Sequence, residues 1–170
     1  MLRFALGRTA LFVLIAGLLV GACGDSTAGT TQAEETDMEE MMFSFGEPAD
    51  AADADRVIEI TANDDFNFDP DEITVSAGEV ITFRVVNGGA LIHDFTLGDE
   101  ATQEEHEAQM AEMAESGEMM MHDEPNAMSI DPGETNELTR HFTETGSILI
   151  GCHQVGHYAS GMKGMITIES

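Results

Sequence analysis

The feature that most constrains the fold is a segment near the C-terminus that holds a thiol, an imidazole and a thioether between two predicted strands. The apolar run 148–150 leads into the segment, and the run 165–168 leads out of it. Between them lie the thiol of Cys152, the imidazole of His157 and the thioether of Met162. Short runs rich in β-branched residues and bounded by glycine are typical of β-strands. The pattern therefore predicts a loop between two strands whose side chains surround one ion.

The donor atoms favour copper as that ion. One thiolate, two imidazoles and a weakly bound axial thioether form the ligand set of mononuclear blue copper sites. The set needs a second imidazole, which His93 offers from far upstream in the chain. No motif for acid–base catalysis, metalloprotease chemistry or phosphate binding accompanies these residues, so we expect a carrier and not an enzyme.

The charge balance of the chain excludes some classes of partner. The 170 residues carry a formal net charge of −27, from 33 acidic and 6 basic side chains. Such a charge repels the phosphate backbone of nucleic acids, so we expect no nucleic-acid partner. A cationic protein or a metal ion is the expected counterpart. The length suits a single domain.

The first 22 residues have the pattern of an export signal. Two arginines precede a continuous apolar run at residues 10–20, and residues 19–23 read LVGAC. This ending resembles a bacterial lipobox, in which the leader is cleaved before a cysteine that then carries the lipids. The apolar run is shorter than the roughly 20 residues of a membrane-spanning helix. We therefore expect a lipoprotein signal peptide at 1–22 and a lipid anchor on Cys23; a plain secretory signal is the alternative.

Export bears on the second of the two cysteines. With Cys23 assigned to lipid, Cys152 is a single thiol on the extracytoplasmic side of the membrane, facing either the periplasm or the outer surface. Exposed thiols are readily oxidised in such compartments. Burial or metal ligation therefore explains Cys152 better than an exposed position does, and the neighbouring His157 and Met162 favour ligation.

The exported chain divides into a tether and a domain. Residues 23–55 are rich in Thr, Ala, Glu and Asp without a sustained period, which is typical of a flexible linker. Met38, Met41 and Met42 lie in this linker, either as a patch that docks on the domain or as weak collectors of copper. We expect the folded domain to span 56–170.

Strand signals recur throughout the domain. Val80–Val86 alternates apolar and polar side chains, and an Asn-Phe-Asp-Pro sequence at 67–70 predicts a turn. About seven short strands separated by turn signals predict an all-β fold, a Greek-key β-sandwich. The predicted strands are 57–61, 73–75, 80–86, 91–97, 137–142, 147–150 and 163–169.

One Met-rich insertion, at about 100–128, interrupts the β pattern. Residues 100–115 are mostly Ala, Glu, Gln and Met, which are good helix formers. His106, Met110 and Met113 fall on one face of that helix. The methionines either pack the helix on the sandwich or bind additional Cu(I), because thioethers are soft ligands. Candidates for this accessory copper site are His106, Met110, Met113, Met119, Met120, Met121 and His122.

Residues 43–169 resemble the cupredoxins, the plastocyanin- and azurin-like blue copper proteins, and most closely a bacterial extracytoplasmic subgroup linked to copper tolerance. The resemblance covers about three quarters of the chain. It rests on the Gly-Cys and Gly-His pairs of the C-terminal loop, on Gly161-Met162, and on a histidine that follows an Asn-Gly turn. Its further segments are 45–48, 68–70, 86–89, 93–98, 122–126 and 132–134.

The resemblance implies one type 1 copper held by His93, Cys152, His157 and axial Met162. It also implies a membrane-anchored one-electron carrier that meets a redox partner protein. The alternative is an extracytoplasmic copper-tolerance protein that binds copper or passes it to a transfer partner. The Met-rich insertion favours this alternative, whereas the ligand loop fits both.

Three further residues near the site carry expectations. Asp94 replaces the Asn or Ser that follows the first histidine in many electron-carrier cupredoxins, and its charge is expected to favour Cu(II). His153 is expected to point outward, with an accessory-metal role as the alternative. Met165 competes with Met162 as axial ligand but lies where the last strand begins.

Overall fold

Alternating apolar side chains build the strands of this protein, as the strand Val80–Asn87 shows. Its residues Ile81, Phe83 and Val85 are fully buried and face the interior. Side chains two apart on a strand share one face, so a strand with this alternation covers a hydrophobic core. The predicted strand therefore forms where its pattern indicates.

The computed structural model describes residues 43–117 and 123–170, which fall within one compact unit, 37–170. The predicted signal peptide, Cys23 and the linker methionines lie outside these residues, as do Met119, Met120, Met121 and His122. No helix in the described ranges has the length and hydropathy needed to cross a membrane. The elements are β1 Gly46–Pro48, a 3-10 helix Ala51–Asp53, β2 Arg56–Asn63, β3 Asn67–Asp69, β4 Glu72–Ser76, β5 Val80–Asn87, β6 His93–Gly98, α1 Glu100–Ser116, β7 Asp123–Glu124, β8 Ala127–Ile130, β9 Thr135–Phe142, β10 Gly146–Gly151 and β11 Lys163–Glu169.

The strands form two mixed sheets. One has the order β1-β9-β5-β2-β3, and the other has the order β4-β11-β10-β6-β8-β7. Strands β2 and β5 pair in parallel, as do β4 and β11, whereas the remaining neighbours are antiparallel. In the second sheet β6 and β10 are neighbours, with Thr96 opposite Gly151. This pairing brings the segments that contain His93 and Cys152 to one end of the sheet.

The two sheets enclose one aromatic core. Phe83 of the first sheet lies 5.6 Å from Phe95 of the second, measured between ring centroids. Phe68 meets Phe95 edge-on at 5.9 Å, and Phe142 meets Phe83 at 6.1 Å. Such edge-to-face pairs are favourable for aromatic rings. The predicted β-sandwich is confirmed.

Helix α1 forms where the sequence predicts it. Asp99 caps its first turn by accepting the Thr102 N–H at 2.9 Å, and Gly117 ends it in the left-handed conformation with φ 74°. Gln103, His106 and Met110 form its buried side. These residues recur at three- and four-residue intervals, which places them on one face of a helix.

Three predicted boundaries differ from the structure. The linker was expected to extend to residue 55, whereas Gly46–Pro48 already pairs with β9 and Phe45 is buried in the core. The turn expected at 67–70 contains the short strand β3, which pairs with β2. The insertion ends before 128, because Ala127–Ile130 is a strand paired with β6. In each case tertiary pairing of the backbone overrides a local sequence signal.

Candidate metal centre

Two segments of the second sheet bring three predicted ligands together. His93 begins β6, and Cys152 follows β10 with His157 five residues later. One donor atom from each residue lies within 4.8 Å of the other two, and all three side chains are buried. The Cys152 sulfur lies 3.3 Å from His157 Nδ1 and 3.9 Å from His93 Nδ1. A thiol and two imidazoles therefore converge on one small volume, as copper ligation requires.

Backbone hydrogen bonds close the loop that contains Met162. The Cys152 N–H donates to the Met162 carbonyl at 3.2 Å, and the Met162 N–H donates to the His157 carbonyl at 3.1 Å. The Met162 side chain is fully buried. Gly156 and Gly161 adopt φ values of 82° and 103°, which L side chains rarely reach. The loop thus ties the fourth predicted ligand residue to two of the others.

The Cys152 thiol lies in a site that favours its protonated form when no metal is bound. Burial raises the pKa of Cys152 from 9.0 to about 12, and the nearby Asp94 carboxylate adds to this shift. The Asp94 backbone N–H points at the sulfur at 3.2 Å, a contact that suits a thiolate. A bound cation displaces the thiol proton and restores charge balance. The donor set and its surroundings therefore fit a copper ion.

The His157 ring packs between two other rings. Its centroid lies 4.7 Å from that of Phe66 and 5.1 Å from that of His93. Burial lowers the pKa of His157, and the His93 ring adds to that effect. His157 is therefore neutral near pH 7, the state in which imidazole binds metals.

Two side chains hold the segment that leads to His93. Asn87 donates from Nδ2 to the carbonyls of Leu91 at 2.7 Å and Ile130 at 2.9 Å. Asp64 lies on the other side, with its Oδ1 3.3 Å from His93 Nε2. Sequence reasoning missed Asp64, because this chain has acidic residues in most of its turns and no spacing distinguishes this one.

Asp94 is buried and does not point to solvent. Its carboxylate Oδ1 accepts hydrogen bonds from Gln154 Nε2 at 2.8 Å and from the Ser129 hydroxyl at 3.1 Å. The residue therefore links β6 to β8 and to the loop after Cys152, in addition to placing a negative charge near the sulfur.

The prediction that His153 points outward is wrong. Its side chain is buried, with Nε2 2.7 Å from Gln103 Oε1 and Nδ1 2.6 Å from Glu107 Oε2. Its ring stacks on Tyr158 with centroids 4.5 Å apart. Helix α1 covers this side of the loop, so the His153 side chain contacts the helix and is shielded from solvent. The i, i+4 spacing of Gln103 and Glu107 is the sequence signal that pairs them on one helix face.

Of the other candidates, His106, Met110, Met113 and Met165 lie in the described part of the chain. Met110 and His106 lie on the buried side of helix α1. The His106 ring packs edge-on against that of His153, with 5.0 Å between ring centroids. Met113 is half-buried on the same helix. Met165 is 41% exposed on β11, whereas Met162 is fully buried. The burial of Met110 agrees with a packing role, and the accessory copper role of the helix residues stays a prediction.

Comparison with known proteins places this geometry in a family. Residues 54–169 match the sequence profile of copper binding proteins of the plastocyanin/azurin family. The chain is 34% identical over 182 aligned positions to a copper-resistant cuproprotein, CopI, of Pseudomonas aeruginosa, covering 92% of this chain and 94% of the relative. A CopI protein of Rubrivivax gelatinosus is 35% identical over 125 positions, covering 74% of this chain and 73% of the relative.

Solved structures agree with the fold. Auracyanin A, a "blue" copper protein from Chloroflexus aurantiacus, is 28% identical, with a TM-score of 0.56 over 66% of this chain and 98% of its own. The dithionite-reduced auracyanin of Roseiflexus castenholzii is 27% identical, with a TM-score of 0.56 over 69% of this chain and 99% of its own.

The family match, the sandwich and the buried His-Cys-His group agree with one another. Copper is the cofactor that this donor set and this family share. The chain belongs to the plastocyanin/azurin family of copper-binding proteins, the cupredoxins.

Proposed function

We propose that His93, Cys152, His157 and Met162 hold one type 1 copper ion and that the protein exchanges one electron with a partner. The observation that carries the proposal is the convergence of three buried donor groups within 4.8 Å in a folded loop. A bound copper ion supplies the redox couple. The protein then acts as a carrier and not as an enzyme.

The chain's own contribution is a site that changes little between redox states. The backbone bonds between Cys152, His157 and Met162 fix the ligand loop. Asn87 and Asp94 brace the strand that supplies His93. A braced ligand set limits the rearrangement that accompanies electron exchange, which favours fast transfer. The large negative charge favours a partner with a basic surface.

A second candidate function is copper resistance, because two relatives that are 34% and 35% identical to this chain are named copper-resistant cuproproteins. In this role the same type 1 site protects the cell envelope by binding copper or by passing it to another protein. The Met-rich insertion is the candidate for additional Cu(I). Both functions need Cys152, and only the storage or transfer of copper needs the insertion.

We also propose that the protein works outside the cytoplasm, anchored through a lipid on Cys23. The leader pattern at 1–22 supports this placement. The expected result for Cys23→Ser is a shift from the membrane fraction to the soluble fraction. An unchanged membrane fraction would contradict the anchor.

Copper survival of a deletion strain separates the two candidate functions. The strain is complemented with the wild-type gene, with Cys152→Ser, or with a chain in which Met119, Met120 and Met121 become leucine and His122 becomes glutamine. Survival lost only with Cys152→Ser supports a resistance role through the type 1 site. Survival lost with both variants supports additional copper at the insertion. Wild-type survival with both would contradict the resistance role and leave electron exchange as the function.

A further inference from the structure

Asp64 is a carboxylate in the turn after β2 that reaches across to a predicted copper ligand. Its Oδ1 lies 3.3 Å from His93 Nε2. His93 is fully buried, whereas the Asp64 side chain is 39% exposed. This contact joins residues 29 positions apart in the chain, because Asp64 lies in a turn of the first sheet and His93 begins β6 of the second.

The geometry determines how the His93 ring uses its two nitrogens. Nδ1 faces the Cys152 sulfur at 3.9 Å, on the side where the other ligand atoms converge. A neutral imidazole has one N–H and one lone pair, and the nitrogen that binds a metal must offer the lone pair. The proton therefore belongs on Nε2, and the Nε2–H donates a hydrogen bond to Asp64 Oδ1. A carboxylate in this position fixes both the tautomer and the orientation of the ring.

The Asp64 carboxylate is itself held by the chain. Its Oδ2 accepts the Ala90 N–H at 2.8 Å, and its Oδ1 accepts the Leu91 N–H at 3.2 Å. These two backbone donors lower the pKa of Asp64, and the His93 contact adds to the effect. Gly89 leaves the space that the carboxylate occupies, because a Cβ at that position would collide with Asp64. The turn is therefore built around a charged acid that points to His93.

We propose that Asp64 is a positioning residue for His93 and that its negative charge lowers the reduction potential of the bound copper. The effect on potential rests on the proposed type 1 site. A charged acceptor makes the imidazole a stronger donor, and a stronger donor stabilises Cu(II) more than Cu(I). Asp64 acts through the His93 ring and does not touch the metal itself.

Asp65 provides a matched control for the charge. It lies next in sequence, is exposed and lines the same 720 Å³ acidic cavity as Asp64. The full-length protein is loaded with copper, and the reduction potential is measured for the wild type, Asp64→Asn and Asp65→Asn. Asp64→Asn is expected to increase the preference for Cu(I) about tenfold, which is about 59 mV for one electron. Asp65→Asn is expected to shift it by less than half of that.

Equal shifts in the two variants would overturn the proposal, because they would show a diffuse charge effect without a role for the hydrogen bond. No shift in Asp64→Asn would overturn it as well. A wild-type protein that forms no blue site would contradict the proposed function, and the next measurement would still test the positioning role.

The tautomer of His93 in the copper-free protein gives a second readout that needs no loaded site. Long-range proton–nitrogen NMR correlations report which ring nitrogen carries the proton. We expect the proton on Nε2 in the wild type and in Asp65→Asn, and a mixture of tautomers in Asp64→Ala. A wild-type His93 with its proton on Nδ1 would overturn the proposal, and this result needs no variant to fold.

Discussion

His153 Nδ1 lies 2.6 Å from Glu107 Oε2, so the residue that follows the Cys152 thiol is tied to helix α1. Gln103, one turn earlier on the helix, meets the other nitrogen of the same ring at 2.7 Å. Tyr158 stacks on the ring from the ligand loop. The inserted helix therefore forms one wall of the metal centre, in addition to its contacts with the sheet.

Gln103 is the residue on which that wall depends most. Its Nε2 donates to the carbonyls of Thr96 at 3.1 Å and Leu149 at 3.2 Å, while its Oε1 faces His153. We expect Gln103→Ala to lower the free energy of unfolding by about 2–4 kcal/mol, because it leaves several buried polar groups without partners. Urea denaturation measures the change. Gln109→Ala, an exposed change on the same helix, is expected to stay within about 0.5 kcal/mol. Equal losses in the two variants would contradict this role.

Arg140 is a buried guanidinium that holds the start of the domain in place. It donates to the carbonyls of Gly46 at 2.8 Å and Pro125 at 3.0 Å, and it lies 5.3 Å from the rings of Phe43 and Phe45. Burial lowers the pKa of Arg140 to about 10, so the side chain stays charged at neutral pH. We expect Arg140→Ala to cost about 2–4 kcal/mol, since two carbonyls lose charged donors. Faster amide exchange at Gly46 and Glu47 should accompany the loss.

Arg84, a surface arginine, provides a matched control for the buried Arg140. Its ion pair with Glu137 has an N···O distance of 2.8 Å, and both side chains are more than 40% exposed. Exposed ion pairs contribute little to stability, so Arg84→Ala is expected to cost less than about 1 kcal/mol. A loss at Arg84 as large as that at Arg140 would contradict the assignment of Arg140 as the anchor.

Copper binding should release the proton of the Cys152 thiol. The raised pKa of about 12 means that the thiol is protonated at pH 6–9, whereas His157 has a lowered pKa and is already neutral near pH 7. Cu(II) displaces the thiol proton, so the apparent affinity from this group rises about tenfold for each pH unit in that range. Calorimetric titration in buffers of different ionisation enthalpy should show about one proton released from the thiol. A pH-independent affinity would contradict thiolate ligation.

Met162 and Met165 offer a paired test of the axial position. Met162 is fully buried in the ligand loop, whereas Met165 is 41% exposed. Leucine has nearly the volume of methionine, so Met162→Leu should keep the fold while removing the thioether. We expect the blue colour to remain and the reduction potential to rise, because Cu(II) loses a donor. Met165→Leu is expected to leave the potential unchanged. The reverse result would assign the axial role to Met165.

The sequence predicts the parts of this fold that rest on local patterns. Alternation in residues such as Ile81, Phe83 and Val85 locates the strands, and the composition around Met110 locates the helix. The residues Cys152 and His157 stand out because their spacing and their flanking strands repeat a known ligand pattern.

The features that local sequence patterns do not predict depend on contacts between segments that are distant in the chain. His153 is buried because helix α1 lies over it, and nothing next to His153 in the chain indicates that packing. Asp64 meets His93 through a turn from the other sheet. Residues 46–48 pair with β9 although they lack a strand pattern of their own. Each of these contacts depends on how the sheets pack, which local periodicity does not determine.

An optical titration of the purified protein with Cu(II) tests the central claim most directly. If His93, Cys152 and His157 form a type 1 site, an intense blue band should grow and saturate at one copper per chain. Cys152→Ser should remain folded and show no such band, because the colour requires the thiolate. A blue band that persists in Cys152→Ser, or its absence from the wild-type protein, would contradict the assigned site.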